Sequence, residues 1–130
     1  IYTMIGEKTF DGYTAQSNGT TYYKDTDCYV LEARPKRDNW YYSKRVVWLN
    51  KEFAGLIFDE VFDQAGRRWK TFVKHYEIWE DGCMPQLFLE GVDQLTGHTS
   101  VIGFEKDKIE FNSGLQEGFF TEKTLMRSKW

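Results

Sequence analysis

The chain has 130 residues, 41% apolar and 18% aromatic, which predicts one domain built around one hydrophobic core. Its 17 basic and 20 acidic side chains are interspersed and leave a net charge of −3, a balance that disfavours nucleic acid as a partner. No stretch approaches the roughly 18 consecutive apolar residues of a membrane helix. Residues 1–6 already have the composition of a structured element, so we expect a signal sequence and further N-terminal residues upstream.

Strand-like runs bounded by Gly, Asp, Asn or Pro recur along the whole chain, and this spacing is typical of an all-β meander. The first predicted strand spans residues 12–23. The second spans 27–34, where Pro35 ends it because proline has no N–H to give to the ladder. The third and fourth predicted strands span 41–50 and 56–63.

Glycine-containing turns separate the later strands. Asp63-Gln64-Ala65-Gly66 predicts a tight hairpin into a fifth strand at 67–79, with Gly66 at positive φ. Glu80-Asp81-Gly82 precedes the sixth strand at 84–93, and a turn over 93–97 precedes the seventh. Links this short join antiparallel neighbours. The one helical signal is a turn from Thr121, a candidate cap, to Leu125.

The predicted fold class is therefore all-β, a curved antiparallel sheet of about seven strands with little helix, forming part of a half-barrel. Alternation within 43–49 and 56–62 places apolar side chains on both faces of these strands. A sheet with two apolar faces needs cover on both. Either the sheet curls on itself, or other segments or a partner pack against it.

Catalytic and metal-binding patterns are weak. Cys28 and Cys83 are 55 positions apart and match no zinc-site spacing, so we interpret them as two small, partly buried thiols, with a disulfide as the alternative. Neither His75 nor His98 has an obvious partner for general-base catalysis. We predict no catalytic residues, no metal and no cofactor.

The adjacent acids at 59–60 and 80–81 could perform glycosidase-like chemistry only if folding brought two carboxyl groups about 5 to 10 Å apart, and neighbouring strand residues face opposite sides. The aromatic residues could form a carbohydrate-binding or peptide-binding surface, although packing within the sheet is the favoured reading for Trp40, Trp48, Trp69 and Trp79.

Several segments, in order along nearly the whole chain, carry a resemblance to a known family. They are residues 6–12, 28–33, 42–49, 63–66, 94–99 and 120–122. Together they resemble the C-terminal half of the outer-membrane lipoprotein-sorting-protein-like (LolA-like) periplasmic family. That resemblance implies an open half-barrel whose concave side is covered by helices from the N-terminal half. It also implies a periplasmic carrier of acyl chains and a membrane-associated or exporter partner.

Our leading hypothesis is a non-enzymatic domain, the C-terminal half of a longer LolA-like protein, that binds a lipid or lipoprotein acyl chain in an apolar concave face. The alternative is an interaction or scaffold module that docks a partner protein, or a second copy as a homodimer, through its sheet. The candidate lining residues are Val47, Leu49, Ile57, Val61, Phe72, Leu87, Leu89 and Val101.

Overall fold

Seven strands, each hydrogen-bonded to its neighbours along the chain, form one antiparallel sheet in a computed structural model that describes residues 1–79 and 81–127. The only α-helix of these residues is α1 (Glu122–Met126), which Thr121 caps through its side chain. The predicted fold class, an all-β antiparallel sheet with little helix, is confirmed. The strands are β1 (Tyr2–Thr14), β2 (Thr21–Ala33), β3 (Lys44–Asn50), β4 (Leu56–Phe62), β5 (Arg68–Tyr76), β6 (Gln86–Asp93) and β7 (Thr99–Gly103).

The strand predicted over residues 12–23 is wrong, because those residues contain the turn between β1 and β2. Ala15 N donates to Thr20 O, and Gly19 has a φ of 69°. The Asn18-Gly19 pair is a strong hairpin signal that should have divided the segment. The predicted second strand is the latter part of β2, and the apolar residues at 1–6 open β1.

The three glycine turns predicted after β4, β5 and β6 are present. Gly66, Gly82 and Gly97 have φ angles of 80°, 81° and 77°, which an L-residue with a side chain adopts only with strain. β5 ends at Tyr76, earlier than predicted. Glu80 of the second turn lies outside the described residues.

The long β1–β2 hairpin folds over one face of the sheet. The rings of Phe10 in β1 and Phe58 in β4 are 5.1 Å apart, although three strand spacings would separate them by about 14 Å in a flat sheet. Bulges between Met4 and Gly6 and between Phe10 and Asp11 add the local twist that such curling requires. We call the face that the hairpin covers the concave face and the opposite one the open face.

The main core lies between the hairpin and the concave face. Aromatic side chains from both sides fill it, including Tyr22, whose ring stacks on Phe88 at 5.2 Å, and Tyr13, whose ring is 5.3 Å from that of Phe58. Its buried members are Phe10, Cys28, Ile57, Phe58 and Val73.

A fully buried carboxylate fixes the hairpin turn to the far side of the sheet. Glu90 in β6 accepts hydrogen bonds from Gln16 N at 3.0 Å, from Ser17 N at 2.7 Å and from the Tyr13 hydroxyl at 3.3 Å. Desolvation by burial opposes the charged form of Glu90, but these donors outweigh it and hold the pKa of the carboxyl below its ordinary value. The hairpin therefore closes the concave face at this end of the sheet.

Candidate ligand-binding surface

The open face has a lateral row of side chains that crosses the middle of the sheet. Pairing between adjacent strands aligns Val47, Asp59, Phe72 and Gly91, and directly paired residues face the same side. Leu31 in β2 extends this row because it pairs with Val47. Val47 is 2% exposed, whereas Leu31 and Phe72 are half-buried.

Apolar residues flank this row on both sides. Leu49 lies two residues after Val47, and Leu89 lies two residues before Gly91, so both share the open face. Val61, which pairs with Arg45 and Lys70, belongs to the adjacent row. These side chains form what we call the open-face strip, made of Leu31, Val47, Leu49, Val61, Phe72 and Leu89.

An ion pair lies within the strip. Arg45 donates from Nε to Asp59 Oδ1 at 3.2 Å and from Nη2 to Asp59 Oδ2, and the Asp59 side chain is 2% exposed. The hydrogen bond to Asp59 raises the pKa of Arg45. The pair therefore leaves no uncompensated charge beneath the apolar side chains around it.

Phe72 lies against the glycine that follows it in the row. A Cβ at Gly91 would be 2.8 Å from the ring carbon Cε1 of Phe72, so the ring occupies space that a side chain would take. The ring borders a small depression of about 150 Å³, lined by Lys70, Phe72, Gly91, Val92, Asp93, His98 and Ser100.

Five of the predicted lining residues lie together on one face. Val47, Leu49, Val61, Phe72 and Leu89 share the open face, opposite the concave face on which the sequence analysis places them. Alternation shows which side chains share a face. The side toward which the sheet curls depends on the hairpin bulges, which strand alternation does not reveal.

The other three predicted residues lie elsewhere. Ile57 is 0% exposed and belongs to the core under the hairpin, because an irregularity between Trp48 and Leu49 shifts its pairing. Val101 pairs with Glu90 on the concave side of the edge strand and is 46% exposed. Leu87 lies at a second irregularity, in the β5–β6 pairing.

The two cysteines and His75 are buried or half-buried. Both cysteines are free thiols, Cys28 buried and Cys83 half-buried. Burial raises the pKa of the Cys28 thiol, and a hydrogen bond with Asp81 raises that of Cys83. The His75 ring lies 5.2 Å from that of Tyr22. Within residues 1–79 and 81–127, no three His, Cys, Asp or Glu side chains cluster closely enough to hold a metal ion.

The four tryptophans singled out in the sequence divide between packing and exposure. Trp48 packs against Phe10 at 5.2 Å, and Trp79 meets Phe111 edge-on at the same distance. Trp69 donates from Nε1 to Asp93 Oδ2 at 3.3 Å. Trp40 is 39% exposed in the loop between β2 and β3, so core packing does not account for it.

The C-terminal tail carries a second apolar surface. Phe120 and Leu125 are 72% and 64% exposed, and both border a shallow depression of about 350 Å³ around α1.

No helix in the part of the chain that the structure describes is long and apolar enough to span a membrane.

Sequence reasoning missed Glu90, and it considered Asp59 only for glycosidase-like chemistry and not as the buried partner of Arg45. Glu90 stands between Leu89 and Gly91 in an otherwise apolar run, and Asp59 follows Phe58 in the same way. An acid inside an apolar strand is the signal that could have found them, because a buried charge needs a partner.

Comparison with known proteins places this fold. A family model that bears the description "Uncharacterized protein" matches residues 3–127. A search of curated proteins finds no match. Among solved structures, a domain described as an outer membrane lipoprotein-sorting protein from Vibrio parahaemolyticus matches with a TM-score of 0.72 and 25% identity. That match covers 95% of this chain and 47% of the other.

Two further structures share the fold. A DUF1329 family protein from Desulfovibrio piger has a TM-score of 0.72 and 22% identity, over 95% of this chain and 46% of the other. A LolA superfamily protein from Nitrosomonas europaea has a TM-score of 0.62 and 21% identity, over 95% of this chain and 49% of the other. The chain thus spans about half the length of these structures. It belongs to the family of the matching model, and its fold matches about half of an outer membrane lipoprotein-sorting protein domain and of a LolA superfamily protein.

Proposed function

We propose that this chain binds a lipid or a lipoprotein acyl chain, without catalysis, by burying it against the open-face strip. The observation that carries the proposal is the set of half-buried apolar side chains, Leu31, Leu49, Phe72 and Leu89, gathered around one row of the sheet. Removing the exposed part of each from water contributes on the order of 1 kcal/mol. The neutralised Arg45–Asp59 pair is compatible with an apolar ligand above it.

In this proposal the chain is one half of a longer carrier. It covers about half of each matching structure, and the remaining length of such relatives would offer a second wall over the ligand. We assign the chain to the C-terminal half and the protein to the periplasm, with a signal sequence upstream. Delivery of the ligand would then involve a membrane-associated or exporter partner.

A displacement assay tests the ligand class and the site together. We expect a dansyl-labelled fatty acid to bind saturably and to be released by palmitate. Leu89→Gln combined with Leu49→Gln should weaken binding about tenfold, because two apolar contacts become polar. Ile78→Gln is the matched control, because Ile78 is 57% exposed in the loop after β5 and away from the strip.

Two results would contradict the proposal. Fatty-acid binding that never saturates would rule out an acyl chain as the ligand. If Leu125→Gln abolishes saturable binding and the Leu49→Gln, Leu89→Gln variant retains it, the ligand binds at the tail surface and not at the open-face strip.

A second candidate function is a protein-interaction module, which the edge strand favours. Within the described part of the chain, β7 has one side without a strand partner, and Val101, Ile102 and Phe104 in and after it are 46%, 52% and 55% exposed. An edge of this kind can pair with a strand of another chain or of a second copy. A mass that rises with concentration in light scattering would favour this module over the carrier.

A further inference from the structure

One end of the sheet combines exposed basic and aromatic side chains. In an up-and-down meander alternate turns lie at the same end, so the β2–β3 loop (34–43), the β4–β5 turn (63–67) and the β6–β7 turn (94–98) are neighbours. We call this group of turns the basic end. Tyr41 and Leu95, from the first and third turns, border one shared depression.

The cations of the basic end are concentrated in the β2–β3 loop. Arg34, Lys36 and Arg37 line a depression of about 370 Å³ together with the aromatic residues Trp40 and Tyr42. Arg34 also pairs with Glu32 at 2.6 Å. Among the described residues Lys36 and Arg37 form no ion pair, so their charges are available to a ligand.

The aromatic side chains of the loop are exposed but held in place. Trp40 and Tyr41 are 39% and 65% exposed, their ring centroids are 5.2 Å apart, and Tyr41 meets Tyr42 edge-on at 5.0 Å. The loop is fastened to the next turn because the Gln64 side chain donates to Trp40 O. Fixed rings lose little conformational entropy when they enter a new environment.

Two of the acids at the basic end are engaged by their own turns. Asp63 accepts from the backbone and the guanidinium of Arg67, and Asp93 accepts from Leu95 N and Thr96 N. Asp38 is exposed within the loop and partly offsets its basic neighbours.

The opposite end of the sheet has the reverse charge. A depression between the start of β2 and the β3–β4 turn is lined by Asp25, Asp27 and Glu52, with Lys51 as its single base. A molecule with net charge −3 thus carries its basic patch at one end and acids at the other. Such a dipolar arrangement orients a protein at a charged surface.

We propose that the basic end docks onto the surface of an anionic lipid bilayer. Lys36 and Arg37 would contact headgroup phosphates, and Trp40 and Tyr41 would enter the interface, where amphipathic rings are favoured. This docking goes beyond the proposed acyl-chain site, because it uses different residues and requires no ligand on the open-face strip.

Vesicle sedimentation tests the docking. We expect the protein to sediment with phosphatidylcholine vesicles that contain phosphatidylglycerol, to remain in solution with pure phosphatidylcholine, and to be released by salt. Lys36→Gln combined with Arg37→Gln should lower the partition coefficient about 30-fold, or about fivefold for each cation. Trp40→Ala should weaken binding without changing its salt dependence.

Matched controls separate docking from other causes. Lys8→Gln with Lys24→Gln makes the same charge change at exposed positions of the β1–β2 hairpin and should leave sedimentation unchanged. The Leu49→Gln, Leu89→Gln double variant should still sediment with the vesicles. Vesicle docking and acyl-chain binding are therefore tested independently of each other. Equal loss in the hairpin control, equal binding to neutral vesicles, or binding of inorganic phosphate without vesicle binding would each overturn the proposal.

Discussion

Glu90 is one side chain that holds the β1–β2 hairpin over the sheet. Its carboxylate is fully buried and accepts from the backbone of Gln16 and Ser17 and from the hydroxyl of Tyr13. A buried anion without partners costs several kcal/mol, so these donors are what makes an acid acceptable in a core strand. The Arg45–Asp59 pair applies the same rule on the open face.

Glu90 should make the protein sensitive to acid. Because its pKa is lower in the folded protein than in the unfolded chain, its stabilising effect is present at neutral pH and is lost as the pH falls below about 4. Glu90→Gln should lower the free energy of unfolding by about 2 kcal/mol at neutral pH, because an amide N–H₂ then faces backbone donors. Urea titrations across this pH range measure both effects.

The acid dependence of the variant should be shallower but not absent. The pKa values of Asp63 and Asp93 are also lowered, since the hydrogen bonds of their turns outweigh burial, and these acids remain in the variant. Glu110→Gln, at an exposed position, is the control and should follow the original chain. An unchanged pH profile in Glu90→Gln would show that Glu90 does not hold the hairpin through its charge.

At the scale of elements, the pairing of β5 with β6 depends on a ring that covers a glycine. Gly91 pairs directly with Phe72, and the Phe72 ring lies where a Cβ would be. An aromatic side chain that shields a cross-strand glycine keeps water from the backbone at a position with no side chain of its own.

Gly91→Ala should lower the free energy of unfolding by about 1 kcal/mol, because the Phe72 ring must leave its rotamer. In a Phe72→Ala background the same change should cost almost nothing, and a double-mutant cycle in urea measures the coupling. Gly103→Ala in β7 is the control, since no atom lies within 4 Å of a Cβ there. Equal costs in both backgrounds would mean that backbone strain, not the ring, constrains Gly91.

The sequence was sufficient to predict β3 to β7, because glycine turns mark their ends and β-branched and aromatic residues fill them. It also grouped Val47, Val61 and Phe72 on one face. The first predicted strand is misplaced, because it runs across the turn at Asn18-Gly19. Curvature itself was part of the predicted fold, but the face that lies inside the curl could not be predicted, because strand alternation does not signal the bulges near Met4 and Phe10.

At the scale of the whole molecule, the hairpin and the sheet behave as two layers with one core between them. Phe10 is 6% exposed and contacts both Trp48 and Phe58, at 5.2 and 5.1 Å. Two layers around one core are the usual requirement for a stable β domain. Among residues 1–79 and 81–127, the open face is then the large sheet surface that remains available to a ligand.

Phe10→Ala should separate these layers in part. We expect the free energy of unfolding to fall by about 3 to 4 kcal/mol, the usual cost of a cavity where a core phenylalanine is removed. Fluorescence of an anilinonaphthalene dye should rise as apolar surface under the hairpin becomes accessible. Phe104→Ala removes a ring that is 55% exposed and should change neither quantity appreciably. Equal effects of the two variants would argue against a common core.

Each strand of the sheet pairs only with the strands next to it in the chain, and this order affects how the protein folds. Each ladder can zip from an adjacent turn, so most of the sheet requires little loop-closure entropy. The bonds of Glu90 to Tyr13, Gln16 and Ser17 span 77, 74 and 73 positions and can form only after the intervening strands are in order. We therefore expect docking of the hairpin to be the late, nonlocal step, and we expect the protein to fold more slowly than a sheet built from local hairpin contacts alone.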